Sequence, residues 1–146
     1  LIHIPTVDAL AYNLAGNRDI ICPLMDARRN QTYTGLYRFD GNQMEIIKPQ
    51  CAVGIDEIIA EVNKLGQAVV FLGDGVAVFE AYIRENCTVP YTFAPAHVNK
   101  QRAGAVAALG EIYYTEGKTE TAEEHKPDYL RLSQAERERL EGEQKK

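Results

Sequence analysis

The stretch CPLMDARRNQTYTGLY, residues 22–37, decides the reading of the fold. With Ile20 and Ile21 ahead of it, Cys22, Leu24 and Met25 complete a near-continuous apolar run, the pattern of a strand covered on both faces. Pro23 has no N–H for a ladder, so the strand is expected to have a free side or a bulge there. Asp26 ends the run, and Arg28, Arg29 and Asn30 make a charged turn. Beyond it Thr32, Thr34, Leu36 and Arg38 alternate with Tyr33, Gly35, Tyr37 and Phe39. That period of two, rich in β-branched and aromatic residues, predicts a second strand hairpinned to the first. A carboxylate and two guanidiniums are then fixed at a sheet rim, where a functional site is expected.

Working outward, Asp40-Gly41 is a tight-turn dipeptide, and residues 44–48 read as a third strand of an antiparallel meander. Ile55, Ile58, Ile59 and Val62 fall on one helical face before Gly66, predicting a helix over 54–65. The apolar run 68–72 is expected to be a buried parallel strand before Gly73-Asp74-Gly75. A helix over 76–86, a short strand at 91–93 and an alanine-rich helix over 99–115 follow. In the last, Ala103, Gly104, Ala105, Ala107, Ala108 and Gly110 leave room for close packing. Ahead of the hairpin, residues 1–4 read as a short strand stopped by Pro5. Thr6 caps a helix through Ala15 with Asp8 in its first turn, where negative charge is favoured, and Gly16-Asn17 closes it.

The order β-α-β-β-β-α-β-α-β-α is that of an α/β, ribonuclease-H-like lobe of the kind found in actin-like ATPases. A three-stranded antiparallel meander is followed by alternating helices and parallel strands. The expected organisation is a connecting strand and helix over 1–19, the lobe over 20–132 and a polar tail over 133–146. The segment 126–131 is extended and expected to dock through Tyr129 and Leu130. The tail, with four acids and four bases among its residues, is expected to be a frayed helix or disordered. The chain begins at Leu1 as if a strand were already under way, so it reads as the later part of a longer protein.

At 146 residues the chain can bury a real core. A net charge of −5 argues against gripping nucleic acid by bulk charge. The three cysteines, Cys22, Cys51 and Cys87, match no short metal spacing and are an odd number, which suits reduced thiols in a cytoplasmic protein. No apolar run reaches the ~18 residues of a membrane span.

Sites of chemistry are sparse. Gly73-Asp74-Gly75 could cradle a phosphate at a helix N-terminus, but a tight turn explains the same glycines. Asp26 and Asp74, joined by Glu57 or Glu61, could hold Mg²⁺ for phosphoryl transfer or nuclease chemistry; an exposed helix face and neutralisation of Asp26 by Arg28 and Arg29 explain the same residues. His3, His97 and His125 lie in three different segments with no zinc spacing. Ser133 is the only serine and lies at the edge of the tail. No catalytic, cofactor-binding or metal-ligating set is therefore assigned. Arg28 and Arg29 suit phosphate or a partner carboxylate as well as surface salt bridges.

Four blocks carry a resemblance: PTVDALA at 5–11, DARRNQTY at 26–33, PDYLR at 127–131 and SQAE at 133–136. In this order they resemble the C-terminal half of the bacterial TsaB (YeaZ) family, the DARRN block being the most specific. The resemblance implies a two-lobed actin-like fold whose nucleotide machinery is degenerate. It implies a non-catalytic scaffold that partners the TsaD enzyme, with the ATPase TsaE, in making threonylcarbamoyladenosine beside the anticodon of tRNA. Contact with tRNA would be indirect, and ATP or ADP would sit at a joint site with the partner. Older usage calls such proteins glycoprotease-like. The family's N-terminal lobe, with its glycine-rich SxGPGSFTG-like segment and most of the pairing and self-association surface, lies outside this chain. Arg28, Arg29 and Asn30 are the expected interaction surface.

Overall fold

The computed structural model describes residues 1–131. Its single sheet has five strands: β1 (Ile20–Asp26), β2 (Gln31–Asp40), β3 (Gln43–Gly54), β4 (Val69–Leu72) and β5 (Tyr91–Phe93). They lie in the order β3-β2-β1-β4-β5. The first three form the antiparallel meander, and β4 and β5 run parallel to β1. The helices are α1 (Thr6–Tyr12), α2 (Ile55–Leu65), α3 (Gly75–Asn86) and α4 (Ala103–Thr115), with a 3-10 turn at Ala96–Val98. This is the ribonuclease-H-like lobe that the element order implies.

Alternation along β1 explains why its run is almost wholly apolar. Ile20, Cys22 and Leu24 face one side, where they meet Ile55, Ile58, Ile59 and Val62 of α2 and Val76, Phe79 and Ile83 of α3. Ile21 faces the other, with Tyr37 and Phe39 of β2 and Val7, Leu10 and Ala11 of α1. Helices therefore cover both faces, and a central strand has no wet side to present. Pro23 is accommodated in a gap. The β1–β2 ladder pairs Ile21 with Tyr37 and Leu24 with Thr34 but has no pair at Cys22 or Pro23. Opposite that gap, β2 shifts register against β3 between Thr34 and Leu36. The missing donor thus falls at an irregularity.

Several boundaries differ from the expected ones. Residues 1–4 are not a strand: no sheet neighbour is available to them, and the Leu1 carbonyl instead accepts the Glu120 N–H at 3.0 Å. Pro5, not Thr6, takes the cap position of α1, and no side chain caps that end. The helix closes at Tyr12, with turns through Gly16. Strand β3 runs to Gly54, carried as an edge strand by pairing with the whole of β2. Helix α4 starts at Ala103, with residues 99–102 a bend and an extended link after the 3-10 turn. Half of its small residues are exposed; of them Gly110 alone is fully buried, with Ile4 against it. Tyr129 does not dock, being 83% exposed. The segment around it is held by polar contacts, Gln50 donating to Asp128 at 2.7 Å and Arg131 donating to the Ala27 carbonyl. The reading of 133–146 as a frayed tail lies outside the described residues.

Gly73-Asp74-Gly75 is a tight crossing. Gly73 has φ +110°, and a Cβ there would run into the Leu24 carbonyl oxygen, while one on Gly75 would stand 2.9 Å from the same oxygen. Gly73→Ala combines backbone strain with a clash against the central strand and should cost about 3 kcal/mol or more. Gly66→Ala, at φ +64° with nothing within 4 Å, should cost only about 1 kcal/mol. Urea unfolding of the two variants checks this, and equal losses would show that the close approach to Leu24 carries no weight.

Candidate functional site

The hairpin joining β1 to β2 has an unusual backbone. Arg28, Arg29 and Asn30 have φ of 65°, 54° and 58°. Three consecutive left-handed residues, none of them glycine, cost about 1 kcal/mol each or more, least at asparagine. Arg29 and Asn30 are the central pair of a type I′ turn, closed by the Gln31 N–H donating to the Arg28 carbonyl at 3.0 Å. The Ala27 N–H donates to the Gln31 carbonyl, and the Ile55 N–H to the Asn30 carbonyl, each at 3.0 Å. Asp26 accepts the Arg28 N–H at 2.8 Å and pairs with its guanidinium at 3.2 Å. The Arg28 side chain is 86% exposed, and Arg29 and Asn30 are exposed too. The turn thus holds two cationic side chains out from the sheet rim on a strained, hydrogen-bonded frame.

The other carboxylates named from the sequence do not join Asp26. Glu57 reaches back to the Gly54 N–H at 3.3 Å, Glu61 pairs with Lys48 at 2.9 Å, and Asp74 is exposed at the start of α3. Asp26, Asp74, Glu57 and Glu61 form no cluster of metal-ligand spacing; among the described residues the one such group is His3, Glu120 and His125. The alternative phosphoryl-transfer arrangement is thus not assembled here, and each acid except Asp74 has a local partner. The glycine turn is occupied as well: the Gly73 N–H donates to Asn99 Oδ1 at 2.9 Å. Cys22 is fully buried, and burial pushes its thiol up to about 12, so it is inert as a nucleophile.

Sequence reasoning missed Asp8. Its place in the first turn of α1 suggests an exposed dipole partner, yet it is 4% exposed. Tyr37 of β2 donates to its Oδ1 at 2.6 Å and Tyr113 of α4 to its Oδ2 at 3.1 Å. One buried carboxyl therefore joins the first helix, the meander and the last helix. The signal was present only as two tyrosines at core positions, whose hydroxyls must find partners when buried. Burial raises the Asp8 pKa, and the two phenol hydrogen bonds offset part of that rise. A cavity of about 460 Å³ opens beside it, lined by His3, Pro5, Asp8, Tyr113, Lys118, Thr119 and Glu120.

Tyr37→Phe should cost about 1.5–3 kcal/mol, the range for a hydrogen bond to a charged group. With the folded pKa raised, the folded state binds more protons between the ordinary carboxylate pKa and that raised value. Stability contributed by Asp8 therefore falls as pH rises through this window and is flat above it. The stability of the protein relative to Asp8→Asn should show that descent in denaturant titrations, and a difference that rises with pH would contradict it.

Comparison with known proteins places this geometry. A family model described as TsaD, tRNA N6-adenosine threonylcarbamoyltransferase, matches residues 1–139. A Bacillus subtilis protein named tRNA threonylcarbamoyladenosine biosynthesis protein TsaB is 29% identical over 135 residues, covering 91% of this chain and 56% of that protein. The chain thus spans little more than half the length of this curated relative. Among solved structures, one described as an uncharacterized protein with similarity to peptidase YEAZ from Pseudomonas aeruginosa superposes with a TM-score of 0.63 at 16% identity, over 88% of this chain and 57% of that one. YeaZ from Pseudomonas aeruginosa gives 0.62 at 15% identity, over 86% and 58%. At such identities the structural likeness speaks for the fold alone.

Proposed function

The chain belongs to the TsaD-type family that the matching model describes and, within it, to its TsaB/YeaZ members, and from this premise we propose that it serves tRNA threonylcarbamoyladenosine biosynthesis. Its role is that of a non-catalytic scaffold that binds a TsaD-like transferase and a TsaE-like ATPase in the cytoplasm and meets tRNA through them. The observation that carries the reading is the match to a protein named for that biosynthesis over nine-tenths of this chain. The acidic balance of −5 favours protein partners over direct capture of RNA. A nucleotide, where the complex holds one, belongs to a joint surface with the transferase, since the Gly73 N–H is already engaged by Asn99. Among the described residues no helix is long and apolar enough to cross a membrane.

The interaction surface is assigned to Arg28, Arg29 and Asn30. Their left-handed backbone is set by hydrogen bonds to Gln31 and Ile55, so the guanidiniums are presented with little left to order on binding. They suit a carboxylate or phosphate on a partner. The family model's description names a transferase, which makes catalysis by the chain itself the rival reading.

Replacing Arg28 and Arg29 by Ala in the full-length protein, reconstituted with TsaD-like and TsaE-like proteins, should lower tRNA modification by about tenfold, equivalent to ~1.4 kcal/mol of contact, with unchanged unfolding. Unchanged modification would remove the surface assignment. Modified tRNA formed without the TsaD-like protein would replace the scaffold by an enzyme.

A further inference from the structure

His3 meets two side chains from the far end of the chain beside the Asp8 cavity. His3 precedes α1, and Glu120 and His125 follow α4. One ligand atom from each lies within 4.8 Å of the others. His125 Nδ1 stands 2.8 Å from Glu120 Oε1, and the His3 and His125 rings are 5.3 Å apart, tilted by 54°. All three side chains are half-buried. The backbone holds them there: the Glu120 N–H donates to the Leu1 carbonyl at 3.0 Å and the His125 N–H to the Thr121 carbonyl at 3.2 Å.

We propose that His3, Glu120 and His125 form a binding site for a divalent transition-metal ion, Zn²⁺ by preference. Two imidazoles and one carboxylate are a donor set zinc uses when it keeps a fourth position open. Bonds of about 2.0–2.1 Å in a tetrahedron space the ligand atoms about 3.3 Å apart. The present spacing, at most 4.8 Å, exceeds this by no more than about 1.5 Å, which side-chain rotation closes. The open position has somewhere to face, because His3 and Glu120 also line the 460 Å³ cavity, from which water supplies the fourth ligand. Lys118 on the same wall does not oppose the ion strongly: its ammonium is paired with Glu116 at 2.7 Å and lies 4.2 Å from the centre of the Tyr113 ring. The bound ion ties the segment ahead of α1 to the segment behind α4, so it braces from outside the two helices that Asp8 and Tyr113 join from inside. This site is independent of the Arg28–Arg29 surface and of the role in tRNA modification.

The test is calorimetric titration of the reduced chain with Zn²⁺ at neutral pH. The titrated protein should carry residues ahead of Leu1, so that no terminal amine can chelate with His3. Binding of one ion per chain is expected, with a rise of the unfolding temperature. His3→Ala and His125→Ala should each weaken binding at least tenfold while leaving the metal-free unfolding temperature unchanged. The Cys51→Ser, Cys87→Ser double variant should bind as the parent does. No binding, binding unaffected by either histidine variant, or binding abolished by the cysteine variant would each overturn the site.

Discussion

A single carboxyl, Asp8, joins three elements that local sequence keeps far apart. It lies on α1, accepts Tyr37 from β2 and Tyr113 from α4, and is almost fully buried. A lone buried charge is costly, so the arrangement depends on both phenols being present at once. Around it α1 packs through Val7, Leu10 and Ala11 onto Ile21, Tyr37, Phe39 and Leu72. The apolar contacts supply most of the stabilisation on this face, while the hydrogen bonds dictate how α1 and α4 are oriented upon it.

The opposite face is simpler in chemistry. Helices α2 and α3 lay aliphatic and aromatic side chains on Ile20, Cys22, Leu24, Val69 and Phe71 with no buried acid among them. The close crossing at Gly73 and Gly75 lets the β4–α3 connection pass directly over the Leu24 carbonyl. The two layers therefore differ: one is a packed apolar core, the other a core with a polar centre and a cavity at its edge. The strained turn at residues 28–30 lies at the rim of the central strands, where loops can vary while the sheet stays rigid.

Charge was readable in the sequence as composition but not as pairing. Glu57 or Glu61 could have joined Asp26 and Asp74 at the sheet rim, although their spacing is also that of an exposed helix face. In the structure Glu57 turns back to Gly54 and Glu61 crosses to Lys48 on β3. Both partners lie on β3, the strand that leads directly into α2, so each acid is engaged by a neighbour close in sequence. His3 and His125 show the opposite case. Their separation of over a hundred positions hides them from any spacing rule, and only the return of the chain after α4 brings them together.

The sequence by itself determined the meander, the alternating helices and strands after it, the hairpin at Arg28–Asn30 and the two-sided burial of β1. These follow from the period of apolar residues and from turn chemistry, which act over a few residues at a time. The family was legible for the same reason, in short blocks read in order. Only the tertiary structure decided that Asp8 is buried, that the rim acids stay apart, and that the segments before α1 and after α4 share one surface. Those outcomes depend on which face of α1 meets which side of the sheet, and that is set by the packing of residues 8, 37 and 113 together, not by the neighbours of any one of them.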